Sequence, residues 1–270
     1  MEQPTQSPRY SLPDIHTRAN AALVDLSKGL FEELPVMIDD LLGNVVEVLI
    51  KTKTSKSQNV ALMTVLRLKQ EAHAIRILLG HGYPAQAMSL AANMIEITYE
   101  LLFMGNDEAK ADIWDRHVEP GKKLWNRQNQ QYARIDQRMV EGWKAMGMTQ
   151  EEAKEQADAD YFAYGLLCDA KHGNPVINKA TGGFIENGVL VVGPQVYQEK
   201  PEILQAVYAA NMTARMTVLA VRAIIYFHLG GVFSGTLFDE SETLNMFRKT
   251  QMLTVMAEAE AAETTNSSDQ

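Results

Sequence analysis

Along most of this chain, apolar residues recur every three to four positions, the period of an amphipathic helix. Residues 1–13 are the first exception: three prolines and little apolar periodicity read as a flexible arm. Helices are predicted over 15–28, from about 31 to 53, and from a Ser57 cap to about 80. The break Gly80-His-Gly-Tyr-Pro84 precedes a fourth helix over 84–104, because Pro84 suits a first helical position and Gly105 a stop. Asn106 or Asp107 caps the next helix, which carries Asp112, Trp114 and His117 and ends at Pro120-Gly121. A polar helix over 122–146 follows, with its apolar residues on one stripe. Thr149-Gln-Glu-Glu152 is a capping box; its helix runs to His172, where Gly173 and Pro175 stop it. Asn187-Gly188 between two short apolar runs predicts one small β-hairpin near 183–192. Pro201 opens a long helix to about 229, and a last helix runs from about 239 to 262. The expectation is an all-α, multi-helix bundle with one small β-hairpin: a single domain over 14–262, then an acidic, disordered tail over 263–270.

Composition narrows the class. The hydrophobic share of 46% and the charged share of 22% are ordinary for a soluble domain. No apolar run reads as a membrane span, since the most apolar stretch, 216–229, is interrupted by Arg222. Residues 1–11 are polar and lack the apolar core of a signal peptide. The single cysteine, Cys168, permits no intrachain disulfide and no thiol cluster for zinc or iron–sulfur. A cytoplasmic protein without a cofactor is therefore expected. The formal charge of −9 disfavours a broad nucleic-acid footprint but leaves room for a local anion or nucleotide pocket.

Two polar stripes interrupt otherwise apolar helices. On the fourth helix they are Gln86, Ser89, Asn93, Glu96 and Glu100; on the helix from Pro201 they are Asn211, Arg215 and Arg222. A buried arginine needs an acceptor, so Glu96 or Glu100 is expected to pair with Arg215 or Arg222. The densest chemistry lies in Asp169-Ala-Lys-His-Gly-Asn-Pro175. His172 offers an imidazole for general acid or base work, Asp169 precedes it by one turn and could orient it, and Lys171 could stabilise an anion. Asn174 completes this candidate catalytic group. The competing reading is a helix end, with Lys171 and His172 facing the negative pole and Asn174 capping the loop. Asp169-x-x-His172 also matches half of a di-metal carboxylate site, but the chain holds no Glu-x-x-His, and no metal is expected. If His172 is functional, it should face Asn93 and Glu96.

Three segments carry a family resemblance: Ile77-Leu-Leu-Gly-His-Gly-Tyr-Pro-Ala-Gln-Ala87, then residues 91–96, then the helix end from Tyr164 to Gly173. Over about 57–230 the chain resembles a bacterial all-helical family of unknown function, itself similar to the HEPN class (higher eukaryotes and prokaryotes nucleotide-binding). Where that family usually carries an arginine three residues before its glutamate, this chain has Asn93. The resemblance implies a defence or toxin–antitoxin component, acting through an interaction surface, as a homodimer or with a protein partner, or through an anion or nucleotide pocket. It also implies an alternative, a metal-independent ribonuclease using Arg and His with four to six residues between them. Four pairs have that spacing: Arg9 and His16, Arg67 and His73, Arg76 and His81, Arg222 and His228. The last pair lies on the long helix from Pro201 and fits best of the four.

Overall fold

Two helices that are apolar on nearly every side form the centre of the protein. The computed structural model describes residues 11–27, 30–52, 55–117, 134–172, 174, 184–186, 189–191, 193–197, 200–230 and 234–267. In chain order the helices are α1 (Leu12–Ser27), α2 (Leu30–Thr52), α3 (Lys56–Gly80), α4 (Pro84–Met104), α5 (Glu108–Asp115), α6 (Ile135–Ala145), α7 (Gln150–Lys171), α8 (Lys200–Ile224) and α9 (Ser234–Ser267). Between α7 and α8, β1 (Phe184–Glu186) and β2 (Val189–Val191) pair antiparallel, with Ile185 opposite Leu190. The architecture is an all-α bundle. The expected elements at Pro120-Gly121, 122–133, Gly173, Pro175 and Asn187-Gly188 lie outside the described residues.

α4 and α8 pack against each other; α3, α6 and α7 also pack on α4, and α2, α3 and α9 on α8. Tyr99, Leu102 and Met94 of α4 and Met216, Val221 and Ile224 of α8 are fully enclosed. Each such side chain contributes about 1.5–3 kcal/mol by leaving water. α6 approaches α4 closely because Gly142 has no side chain: a Cβ there would lie 2.8 Å from Leu102 Cβ. One helix, Glu202–Leu229, is after all long and apolar enough to cross a membrane, with a mean hydropathy of 1.2. Within the bundle 67% of that window is buried, so its apolar circumference is covered by neighbouring helices.

Local chemistry sets the helix ends. Thr149 caps α7, with Glu152 closing the box from the third position. Asp107 caps α5 through Ala109 and Lys110. The α3 cap is Ser55 rather than Ser57, with Gln58 completing the box. Ser57 lies in the first turn, where the Glu108 carboxylate accepts from the backbone N–H groups of Lys56 and Ser57, each at 3.1 Å. A carboxylate from another helix thus meets the positive pole of α3. The last helix continues to Ser267, beyond its expected end near 262.

α8 widens into a single π-helical turn, Ile225–Leu229, before Gly230 takes a left-handed conformation. His228 lies in this turn, with its Nε2 buried and without a hydrogen-bond partner. Burial pushes its pKa down from 6.5 to about 4. The folded state therefore holds this ring neutral, and the unfolded state protonates first as pH falls. The stability this confers is complete above pH 6.5 and is lost as pH falls through about 4, amounting to about 3 kcal/mol. Urea denaturation at pH 7 and pH 4 is expected to show that loss, reduced by this amount in His228→Leu. An undiminished loss in His228→Leu would contradict the assignment.

Candidate functional site

Of the sequence-predicted candidates, Asn93, Glu96 and Lys171 meet along the seam between α4 and α7, two antiparallel neighbours that meet rung by rung. Tyr99 donates to Asp160. Tyr164 donates to Glu96 Oε1 at 2.7 Å. Lys171 Nζ reaches Asn93 Oδ1 at 3.1 Å and Glu96 Oε1 at 3.4 Å. Asp160, Tyr164, Leu167 and Lys171 share the inward stripe of α7 with Ala153 and Ala157, at helical spacing. Arg215, from α8, completes the buried end by donating to Asp160. Trp143 of α6 donates to Tyr99 Oη at 2.9 Å. Burial raises the Asp160 carboxyl above its usual range, and Arg215 and Tyr99 oppose that. Burial also drives the Tyr99 hydroxyl well above its ordinary value, with Asp160 adding to it.

The acceptors of the two arginines differ from those expected. Arg215 pairs with Asp160, and Arg222 with Glu242 of α9. The expectation that a half-buried arginine must find a carboxylate holds, but both partners come from helices other than α4. Glu96 is used by Tyr164 and Lys171, and Glu100 is half-buried beside them on the same α4 stripe.

The His172 run is not assembled as a site. His172 is exposed and caps α7, its backbone N–H donating to Cys168 O at 2.9 Å. Asn174 donates its backbone N–H to Asp169 O at 3.0 Å, and Asp169 itself is exposed. Of the four, only Lys171 faces Asn93 and Glu96. Among the described residues no group of three or more His, Cys, Asp or Glu side chains could hold a metal ion.

A different region has the geometry of a binding site. A cleft of about 870 Å³ opens between α1, α2 and α3, with Ala210 and Thr213 of α8 at its base. That volume is within the usual range for small-molecule sites. Leu34, Ile38, Ile75 and Leu79 give it an apolar lining. Lys69, His73 and Arg76 recur along α3 at helical spacing and all line it. Asp39 of α2 accepts from Lys69 Nζ at 2.8 Å and from His73 Nε2 at 2.6 Å. Those two bonds, Lys69 first, hold its carboxyl below the usual range.

At the C-terminal end of α3 the cleft carries Arg76, His81 and, from α1, His16. The two imidazoles meet edge to face, with centroids 4.6 Å apart. His81 Nδ1 lies 2.7 Å from Ile77 O. A carbonyl can only accept, so Nδ1 carries the proton and Nε2 is left as an acceptor when the ring is neutral. His16 Nε2 is buried without a partner. Arg76 is exposed and makes no ion pair within 4 Å among the described residues, although Glu32 and Asp40 also line the α2 wall. By contrast, Arg67 pairs with Glu71 and Arg222 with Glu242, and Arg9 lies outside the described residues. Among the described residues, Arg76 and His81 are the pair of that spacing that both line this cavity. The spacing of Arg76 and His81 is visible in the sequence, but the contact of His81 with His16 is not; the polar triplet at 69, 73 and 76 is the signal along the chain.

No protein-family model matches the chain, and no curated protein or solved structure is significantly similar to it.

Proposed function

We propose that the protein binds a small anionic ligand, phosphorylated or carboxylated, in the cleft between α1, α2 and α3. The observation that carries this reading is an apolar cavity of about 870 Å³ whose lining includes the exposed guanidinium of Arg76, in no ion pair among the described residues, and two imidazoles in mutual contact. Arg76 presents a planar set of donors that fits a phosphate or carboxylate. His81 Nε2 supplies an acceptor while its ring is neutral, and the His16 ring packs edge to face against it. The apolar lining accommodates the body of the ligand, and the acidic α2 wall opposes a polyanion. With the net charge of −9, that favours a small ligand over a nucleic-acid chain. The reading agrees with the nucleotide pocket that the HEPN resemblance implies.

Calorimetric titration with AMP and with pyrophosphate tests it. Arg76→Ala is expected to weaken binding by about 10- to 100-fold, the worth of a charge-assisted hydrogen bond. His172→Ala should bind like the wild type. An affinity unchanged by Arg76→Ala, or no binding of either probe, removes the reading.

A second reading, metal-independent RNA cleavage, is favoured by one observation: Arg76 and His81, with four residues between them, line one cavity. It requires cleavage in EDTA that His81→Ala abolishes and His172→Ala leaves intact. Equal rates in wild type and His81→Ala eliminate it.

A further inference from the structure

The outward face of α7 carries the most exposed aromatic residue in the described structure that lies on a regular helix. Phe162 is 70% exposed, and Tyr161 and Leu166 beside it are 45% and 40% exposed. Exposed apolar residues scattered singly need no explanation, but three adjoining ones on a helix face do. The inward stripe of α7 is already occupied by α4 and α6, so this face is the opposite side of the helix. Along it, at spacings of three and four, lie Glu151, Lys154, Asp158, Phe162, Gly165, Asp169 and His172, all exposed. A Cβ placed on Gly165 would meet nothing within 4 Å.

We infer that this face of α7 docks on the same face of a second copy of the chain, antiparallel, about a two-fold axis between Tyr161 and Phe162. The argument is charge complementarity in a fixed register. An antiparallel pair about that axis opposes residue i to residue 323 minus i. Lys154 then meets Asp169 of the second copy, and Glu151 meets its His172, each pair occurring twice. Tyr161 and Phe162 stack at the axis, where aromatic pairs are favoured. Gly165 opposes Asp158 and leaves it space. A parallel pairing would instead set each charge against its own kind. An isologous contact of this type closes on itself and stops at the dimer.

Size sets the strength. A helix of 22 residues is about 33 Å long. One helix face of that length covers well under the ~800 Å² per partner of a standard interface. The dimer is therefore a weak one that forms and dissociates with concentration. This inference is independent of the cleft, which lies among α1, α2 and α3.

Sedimentation equilibrium of the full chain, across a micromolar to submillimolar series at low salt, tests it. The wild type is expected to show a monomer–dimer equilibrium. Phe162→Asp, Lys154→Glu and Asp169→Lys should each weaken it by about tenfold or more. The double variant Lys154→Glu/Asp169→Lys should return to within about threefold of the wild type, because its charges are exchanged and not removed. All three positions are exposed, so circular dichroism should report an unchanged fold. A wild type that stays monomeric throughout overturns the inference. So does a dimer indifferent to Phe162→Asp, or a double variant no better than either single.

Discussion

Arg215→Ala is expected to destabilise the protein by about 3–5 kcal/mol at pH 7, the usual cost of stranding a buried charge. Asp160 is the charge left behind. Its side chain is only 1% exposed, whereas that of Arg215 is 34% exposed. In the native protein Arg215 and Tyr99 offset the burial that raises the Asp160 carboxyl. Without Arg215 the folded-state pKa of Asp160 rises further above its unfolded value. A raised carboxylate pKa gives stability that is present below the unfolded pKa and is lost as pH rises through the folded one. The deficit of Arg215→Ala should therefore grow from pH 4 to pH 7 in urea denaturation. Replacing both partners, as Asp160→Asn/Arg215→Ala, should recover part of the loss, because the orphaned charge is gone. A pH-independent deficit, or a double variant that is additive, would show that Asp160 is not held by this pair.

Gly82→Ala is expected to cost roughly 2–5 kcal/mol, adding about 1–2 for a left-handed residue to about 1–3 for overpacking. Gly82 has φ +82°, in the turn that joins α3 to α4. An added Cβ would lie 2.2 Å from Gln195 O and 2.9 Å from Gln195 N, both backbone atoms that cannot swing away. Gln195 N–H also donates to Gly82 O at 2.7 Å, so displacement breaks that bond. The segment 193–197 is thus seated on the α3–α4 turn, where Tyr197 donates to Leu79 O at 2.7 Å. Thermal unfolding of Gly82→Ala beside the wild type measures the cost; an unchanged Tm would refute the close approach.

The two halves of the account were unequally legible in the sequence. Helix ends are decided by chemistry within four residues, and Thr149 with Glu152, Pro84 and Asp107 were readable for that reason. The α3 cap was placed two residues late because Ser55 and Ser57 offer the same hydroxyl, and only Gln58 separates them. Burial of a polar group was partly legible. Arg215 sits in an apolar helix, and its need for an acceptor follows from physics alone. Which of the 34 acidic residues answers is a tertiary fact. The run Gln-Ala-Asp-Ala-Asp around Asp160 carries no local mark of burial; only the spacing 153, 157, 160, 164 and 167 marks the inward stripe of α7. The cleft was less legible still. His16, Asp39 and His81 come from three helices, and no spacing along the chain encodes their meeting. Local density of polar side chains instead drew attention to His172, whose density is that of a helix terminus.

On the proposed function, a ligand enters the cleft between α1, α2 and α3 and not the His172 run. The most direct test is the nitrogen NMR of histidine side chains, assigned by single His→Gln variants, during titration with AMP and pyrophosphate. Resonances of His16 and His81 are expected to shift, with those of His172 and His228 unmoved. A shift at His172 with His81 unchanged would contradict the proposed function.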